Sequence, residues 1–105
     1  MDSANQPPAL DRGVYAISTA AELAGTGVQN LRLYEKRGLL TPSRTSGGTR
    51  LYSHNDVGCL LRIGSLLDAG LNLAGIAMVL DLERQMRDVE DERDRLREGR
   101  RRGKD

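Results

Sequence analysis

Aromatic residues are scarce in this sequence, which has no Trp, no Phe and three Tyr. A core must therefore be built from Leu, Ile, Val, Ala and Met, and this composition favours helices. The sequence also has no apolar run long enough to span a membrane and no segment that resembles a signal peptide. These absences predict a small, mostly α-helical, cytoplasmic protein.

Residues for catalysis or metal binding are equally scarce. Cys59 is the single cysteine and His54 the single histidine, so no disulfide can form within the chain. The two side chains do not share a helix face at this spacing, and a metal or Cys–His site would need further ligands. We therefore predict no enzyme, no metal and no cofactor. Cys59 is interpreted as a helix-packing residue, with a redox or metal role across a dimer as the alternative.

Charge is balanced overall but not along the chain: 16 Lys and Arg face 15 Asp and Glu, a net charge of +1. Residues 30–54 hold five basic residues and one acid, Glu35, a local excess of +4. The basic residues are Arg32, Lys36, Arg37, Arg44 and Arg50. Such a cluster suits the neutralisation of DNA phosphates, and an ordinary solvated surface is the alternative.

Helix start and stop signals predict a helix-turn-helix in the first half of the chain. After a short extended piece at residues 15–17, Thr19 and Glu22 have capping-box spacing and Gly25 ends a first short helix. A turn with two glycines leads to a second helix at residues 28–37, which Gly38 ends. Its apolar residues recur at helical intervals: Val28, Leu31 and Tyr34.

A small β-hairpin is predicted after the second helix, with Gly47 and Gly48 at its tip. Ser53 and Asp56 then form a second capping-box pattern, which opens a helix from about His54 to Ala69. Its inward-facing residues are predicted to be Val57, Leu60, Leu61 and Leu67.

A fourth helix is expected to start near residues 71–73, and from Val79 its apolar residues follow alternating intervals of three and four. These residues are Val79, Leu82, Met86, Val89 and Leu96, with Arg93 as a charged member of the series. The pattern is that of a short heptad seam for dimerisation, or of a solvated helix with incidental apolar residues. The predicted organisation is a flexible arm, a DNA-binding domain, a dimerisation helix and a frayed basic tail, at residues 1–13, 14–78, 79–99 and 100–105.

The string LRLYEKRGLLTPSRTSGGTRLYSHNDVGCLLRIGSLLDAGLNLAGI, residues 31–76, resembles the MerR family of bacterial regulators. Several spaced blocks occur in the family's order: LRxYExxGLLxPxR, then GxRxY, then a Leu/Ile-rich helix that begins after an Asp. The resemblance implies a winged helix-turn-helix DNA-binding domain with a β-hairpin wing, and a C-terminal dimerisation helix that forms an antiparallel coiled coil.

The resemblance also implies which residues contact DNA. They are Gln29, Asn30, Arg32 and Tyr34 on the recognition helix, Arg44, Arg50 and Tyr52 in the wing, and the nearby cations Lys36 and Arg37. Glu35 is expected to have a structural role. Two positions depart from the family pattern: Leu33 stands where an aromatic residue is common, and Thr49 stands where a tyrosine usually precedes the wing arginine.

A nearer resemblance is to the HspR-type heat-shock repressors, carried by RTSGG at residues 44–48 and NLAGI at residues 72–76. It implies a homodimeric repressor of stress genes that binds an inverted-repeat operator in double-stranded DNA, with a chaperone or RNA polymerase as a further partner. Three alternatives remain. They are a MerR-type activator that untwists a promoter spacer, an architectural DNA-bending protein resembling an excisionase, and an adaptor whose last helix binds another protein.

Overall fold

The computed structural model describes residues 9–103 and is mostly helical, as the sequence predicts. In chain order its elements are β1 (Gly13–Tyr15), α1 (Ile17–Ala24), α2 (Val28–Lys36), β2 (Ser43–Arg44), β3 (Arg50–Ser53), α3 (His54–Asp68) and α4 (Leu73–Gly103). The chain divides into two compact units, Met1–Leu71 and Asn72–Asp105. Within the described range, no helix is both long and apolar enough to cross a bilayer.

Helix α1 begins earlier than its predicted cap. Its N-cap is Ala16, in an extended conformation and without a side-chain hydrogen bond, so Thr19 lies inside the helix and forms no capping box. The prediction was wrong because the backbone closes the first turn earlier: the Ala20 N–H donates to the Ala16 carbonyl at 2.9 Å, so Thr19 already lies within that turn. Gly25 ends α1 as predicted, with a left-handed φ of 70°.

The predicted capping box at the start of α3 is confirmed. The Asp56 backbone N–H donates to Ser53 Oγ, and the Ser53 N–H donates to Asp56 Oδ2, both at 2.9 Å. The buried residues of α3 are Val57, Leu60, Ile63 and Leu66. Leu61 and Leu67, expected inside, are 51% and 37% exposed. These two leucines are exposed because α3 packs against α1 and the strands on one face only.

The predicted hairpin is present and belongs to a three-stranded antiparallel sheet in the order β1-β3-β2. Its tip closes by a hydrogen bond from the Gly48 N–H to the Thr45 carbonyl at 2.9 Å. The third strand, β1, starts at Gly13 instead of residue 15. It comes so close to β3 that a Cβ on Gly13 would lie 2.9 Å from Leu51 Cβ, which explains the glycine.

The predicted flexible arm at residues 1–13 is described only from residue 9. There Arg12 N–H donates to the Ala9 carbonyl at 3.1 Å, and Asn55 N–H donates to the Leu10 carbonyl at 2.9 Å, so this stretch is hydrogen-bonded before β1 begins. The arm's residues 1–8, and residues 104–105 of the predicted tail, lie outside the described residues.

In the second unit, α4 is one helix that passes without a break through the predicted boundary at residues 78–79. Asn72 caps it: its Oδ1 accepts a hydrogen bond from the Gly75 N–H at 2.8 Å. Ile76 and Leu80 are buried, whereas residues 84–101 are all exposed. The helix continues through Gly103, so residues 100–103 of the predicted frayed tail are helical.

Candidate nucleic-acid interface

Helix α2 presents a polar, cationic face to solvent. Gln29, Arg32 and Lys36 are exposed, as is Arg37 immediately after the helix. The opposite face is buried through Leu31 and Tyr34, which anchor α2 in the core. Within residues 9–103, Arg32, Lys36 and Arg37 form no ion pair. The helix therefore offers several cations whose hydrogen-bond donors are available to an anionic ligand.

Asn30 is exposed but lies towards one edge of this face. Its Nδ2 donates to Thr26 Oγ1 at 2.8 Å, which ties the side chain to the turn between α1 and α2. Thr26, Asn30 and Tyr34 also line a shallow groove of about 470 Å³ together with Leu60 and other residues of α3. Since the amide has two N–H groups and one oxygen, the second N–H and the oxygen remain available to a ligand.

Glu35 joins α2 to the wing, by which we mean residues 43–53. Its Oε2 accepts a hydrogen bond from Arg44 Nη2 at 2.8 Å, and its Oε1 accepts one from Arg50 Nε. Arg44 also donates through Nη1 to the Gly48 carbonyl at 3.0 Å, which ties the arginine to the hairpin tip. One carboxylate thus fixes both wing arginines against the recognition helix, the structural role that was expected for Glu35.

The two arginines stabilise the charged form of Glu35. The hydrogen bond from Arg50 is the main reason that the pKa of Glu35 lies below its ordinary value, and the positive charges of Arg50 and Arg44 act in the same direction. The same hydrogen bond raises the pKa of Arg50. The cluster of two arginines and one carboxylate keeps a net charge of +1, so it remains attractive to phosphate.

The resemblance implied that Tyr34 and Tyr52 contact DNA, but both side chains lie in the core. Tyr34 is 5% exposed and Tyr52 is fully buried. Burial raises the pKa of both phenols. The Tyr52 hydroxyl makes no hydrogen bond within the described part of the chain. The Tyr52 ring is therefore closed off from a ligand, whereas the Tyr34 ring, which supports α2 from beneath, reaches the groove that Asn30 lines.

The two candidate reactive residues both lie on α3. His54 is exposed at the first position of α3, and Cys59 is partly buried with Sγ 3.8 Å from the Leu39 carbonyl oxygen. Among residues 9–103, no group of three or more His, Cys, Asp and Glu side chains is arranged to hold a metal ion.

The apolar series of α4 lies on the surface of its unit. Leu82, Met86, Val89 and Leu96 are between 56% and 68% exposed, and Val79, nearer the start of the helix, is partly covered. These four side chains recur at intervals of four, three and seven residues, so they follow one stripe of the helix surface.

Two features of the site were missed by the sequence reasoning. The hydrogen bond between Asn30 and Thr26 joins a helix residue to a turn, and no periodic pattern marks it. The pairing of Glu35 with both wing arginines has one signal in the sequence, because Glu35 is the only acid among the five basic residues of residues 30–54.

Comparison with known families accounts for this arrangement of helices and wing. The family model described as MerR HTH family regulatory protein matches residues 15–83. This chain belongs to the MerR family. The chain therefore carries the DNA-binding helix-turn-helix domain of a MerR-family transcriptional regulator.

Among the relatives of this MerR-family chain is the "Putative heat shock protein HspR" of Streptomyces coelicolor, 43% identical over 81 residues, or 76% of this chain and 54% of that protein. Another is the "HTH-type transcriptional repressor CarH" of Myxococcus xanthus, 43% identical over 67 residues, or 63% of this chain and 22% of the repressor. The chain therefore spans about half of the HspR protein and a smaller part of CarH.

A solved structure with the same architecture is that of HiNmlR, described as a MerR family regulator lacking the sensor domain and bound to promoter DNA. It is 30% identical and superimposes with a TM-score of 0.64 over 81% of this chain and 65% of that one. The relatives are transcriptional regulators and not enzymes.

Proposed function

We propose that this MerR-family chain is a cytoplasmic repressor that binds an inverted-repeat operator as a homodimer and controls stress genes. The observation that carries the proposal is the attachment of the wing to the recognition helix through Glu35, at 2.8 Å from Arg44. Because this ion pair holds α2 and the wing together, their cations form one surface that can follow one stretch of duplex.

Different residues of this surface are assigned different tasks. Gln29, Asn30 and Arg32 have the side-chain chemistry to read base edges in the major groove, where Arg pairs with guanine and Asn or Gln with adenine. The remaining cations are assigned to phosphates, where they set affinity and register: Lys36, Arg37, Arg44 and Arg50. Arg44 and Arg50 each keep donors that Glu35 does not use, because a guanidinium has five.

The homodimer is proposed from the exposed series on α4. A second copy of the same helix, paired in the antiparallel sense that is implied by the resemblance to the family, would cover Leu82, Met86 and Val89. Two-fold symmetry then presents two recognition helices to two half-sites, separated by about 34–36 Å or a multiple of it.

Repression of stress genes is supported by the relatives. One is named a heat shock protein and another a transcriptional repressor. Each comparison covers only part of the other protein, 54% of HspR and 22% of CarH, so the regulatory outcome and the partner, a chaperone or RNA polymerase, are part of the proposal.

Two measurements with the full chain test this function. The first is a DNase footprint on the DNA upstream of the chain's own gene, where we expect one protected inverted repeat. Diffuse protection instead would favour an architectural DNA-bending protein. The second is transcription in vitro from the protected promoter with purified RNA polymerase. We expect fewer transcripts as the protein is added, and an increase would show an activator.

A matched variant makes the footprint specific to the proposed surface. Arg32→Ala should remove the protection at concentrations that suffice for the parent chain. Arg87→Ala, which removes an exposed arginine from α4, should leave the footprint unchanged. Equal loss in both variants would show that overall charge, and not the α2 surface, is responsible.

A further inference from the structure

One apolar side chain interrupts the cationic face of α2. Leu33 is 38% exposed, whereas Leu31 and Tyr34 on the same helix are buried. More than a third of Leu33 therefore remains open to a ligand. Its position departs from the family pattern noted above, so the family's common residue does not explain what Leu33 contacts.

The neighbours of Leu33 are the residues already assigned to DNA. Gln29 precedes it by four residues, and Lys36 and Arg37 follow it by three and four. Residues at these spacings are adjacent on a helix surface. Leu33 thus lies between a candidate base-reading side chain and two cations, and a ligand that engages those residues must cover it.

The chemistry of duplex DNA limits what can cover an apolar side chain there. The edges of the base pairs in the major groove carry hydrogen-bond donors and acceptors, and the one apolar group among them is the C5-methyl of thymine. A branched aliphatic side chain that lies against this methyl removes apolar surface from water on both sides. A leucine placed against any other base edge would leave polar groups without partners.

We propose that Leu33 is a specificity-determining residue that contacts the C5-methyl group of one thymine in each operator half-site. The inference rests on the proposed operator binding and adds one base preference to it. Gln29 and Arg32 select their bases by hydrogen bonds, and Leu33 selects thymine by apolar contact. A cytosine or purine at that position loses this contact.

The test removes the methyl group from the DNA and the leucine from the protein, separately and together. Duplexes that bind the full chain are first enriched from a randomised pool. Each thymine of the enriched operator is then replaced in turn by deoxyuridine, which lacks only the C5-methyl. Dissociation constants are measured at one fixed salt concentration for the parent chain and for Leu33→Ala.

We expect deoxyuridine at one thymine of a half-site to weaken binding of the parent by about four-fold, the effect of one buried methyl group. Leu33→Ala should bind more weakly and should not distinguish thymine from deoxyuridine at that position. Leu33→Met, which keeps an apolar side chain of similar volume, should keep most of the discrimination. Leu23→Ala, which shortens another exposed leucine on α1, should keep all of it.

Two results would overturn the inference. The first is an operator in which no thymine is sensitive to deoxyuridine in the parent chain. The second is a sensitivity that persists undiminished in Leu33→Ala, which would assign the methyl contact to another residue and leave Leu33 against the deoxyribose. Both leave operator binding intact, so they are distinguishable from failure of the proposed function, in which no sequence is enriched from the pool.

Discussion

Glu35 on α2 lies 2.8 Å from Arg44 of the wing, measured between Glu35 Oε2 and Arg44 Nη2. The same carboxylate also accepts a hydrogen bond from Arg50, so one acid holds two arginines whose remaining donors are assigned to phosphates. Glu35 has two effects on DNA binding. It orders the wing against the recognition helix, and it reduces the positive charge of the surface they share.

We expect Glu35→Gln to raise affinity for non-specific DNA and to lower the preference for the operator. The change releases charge on Arg44 and Arg50 but loosens the wing that positions them. The slope of log affinity against log salt should become steeper by up to about one, the value for one added phosphate contact. Titrations of operator and random duplexes at several salt concentrations measure both effects.

The matched control is Glu22→Gln, which changes the net charge equally at an exposed position of α1. Its salt slope and operator preference should stay close to those of the parent. If both variants behaved alike, net charge would explain the result and the ion pairs of Glu35 would not.

The stability of the fold should depend on the ionisation of Glu35. Its pKa is lowered in the folded chain, chiefly by the Arg50 hydrogen bond, so folding favours the carboxylate. The carboxylate therefore adds to the free energy of unfolding at pH values above its pKa in the unfolded chain, near 4.5. This addition is lost as the pH falls through the lower pKa of the folded chain. The difference in free energy of unfolding between parent and Glu35→Gln should therefore be constant at neutral pH and should shrink below about pH 4.5. Urea unfolding from pH 7 to pH 3 checks this, and a difference that stayed constant to pH 3 would contradict it.

Arg32→Ala should weaken operator binding by about 1–3 kcal/mol while the fold is retained. Arg32 is exposed on α2 and makes no ion pair within residues 9–103, so its removal leaves no buried charge without a partner. Binding titrations at fixed salt against operators with single base changes would locate the base it reads. An unchanged operator affinity would remove Arg32 from the recognition surface.

Metal ions and mild oxidants should not switch operator binding through a dedicated site. Cys59 is the only cysteine of the chain, and its Sγ lies 3.8 Å from the Leu39 carbonyl oxygen. Operator affinity should be the same with and without mercury, copper, zinc or peroxide. Any loss that a reagent does cause should be equal in the Cys59→Ser control. A response that the parent shows and Cys59→Ser lacks would indicate a sensor built across the dimer.

The double variant Met86→Glu, Val89→Glu should separate the dimer. Both side chains are more than 60% exposed in the single chain, so the variant should fold, but pairing would bury unpaired charges. Operator affinity should fall when the dimer separates, because a dimer that binds two half-sites at once binds far more tightly than a monomer on one half-site. Sedimentation and DNA titration are measured on the same samples. A monomer that bound the full inverted repeat as tightly as the parent would show that α4 is not the dimerisation element and would favour the adaptor alternative.

The amino-acid sequence by itself determined the order of the helices, the hairpin and the family. Capping and termination depend on residues a few positions apart, so Ser53 with Asp56, and the glycines at 25 and 38, could be recognised without a structure. The ordered blocks of residues 31–76 carried the family resemblance and, with it, the identity of the recognition helix. The cationic character of that helix was likewise evident from the distribution of charge along the chain.

Only the tertiary structure decided which of those side chains are available. Burial placed Tyr34 and Tyr52 in the core, although the resemblance implied that both contact DNA. It left Leu33 in solvent, and also Leu61, which was predicted to face inward. The start of α1 at Ile17 and the pairing of β1 with β3 depend on contacts between segments far apart in the chain. The same is true of Glu35, which meets arginines 9 and 15 residues away. Periodicity indicates which faces of a helix or strand are apolar. Which of those faces become buried, and which charged side chains form ion pairs, depends on how distant segments pack together.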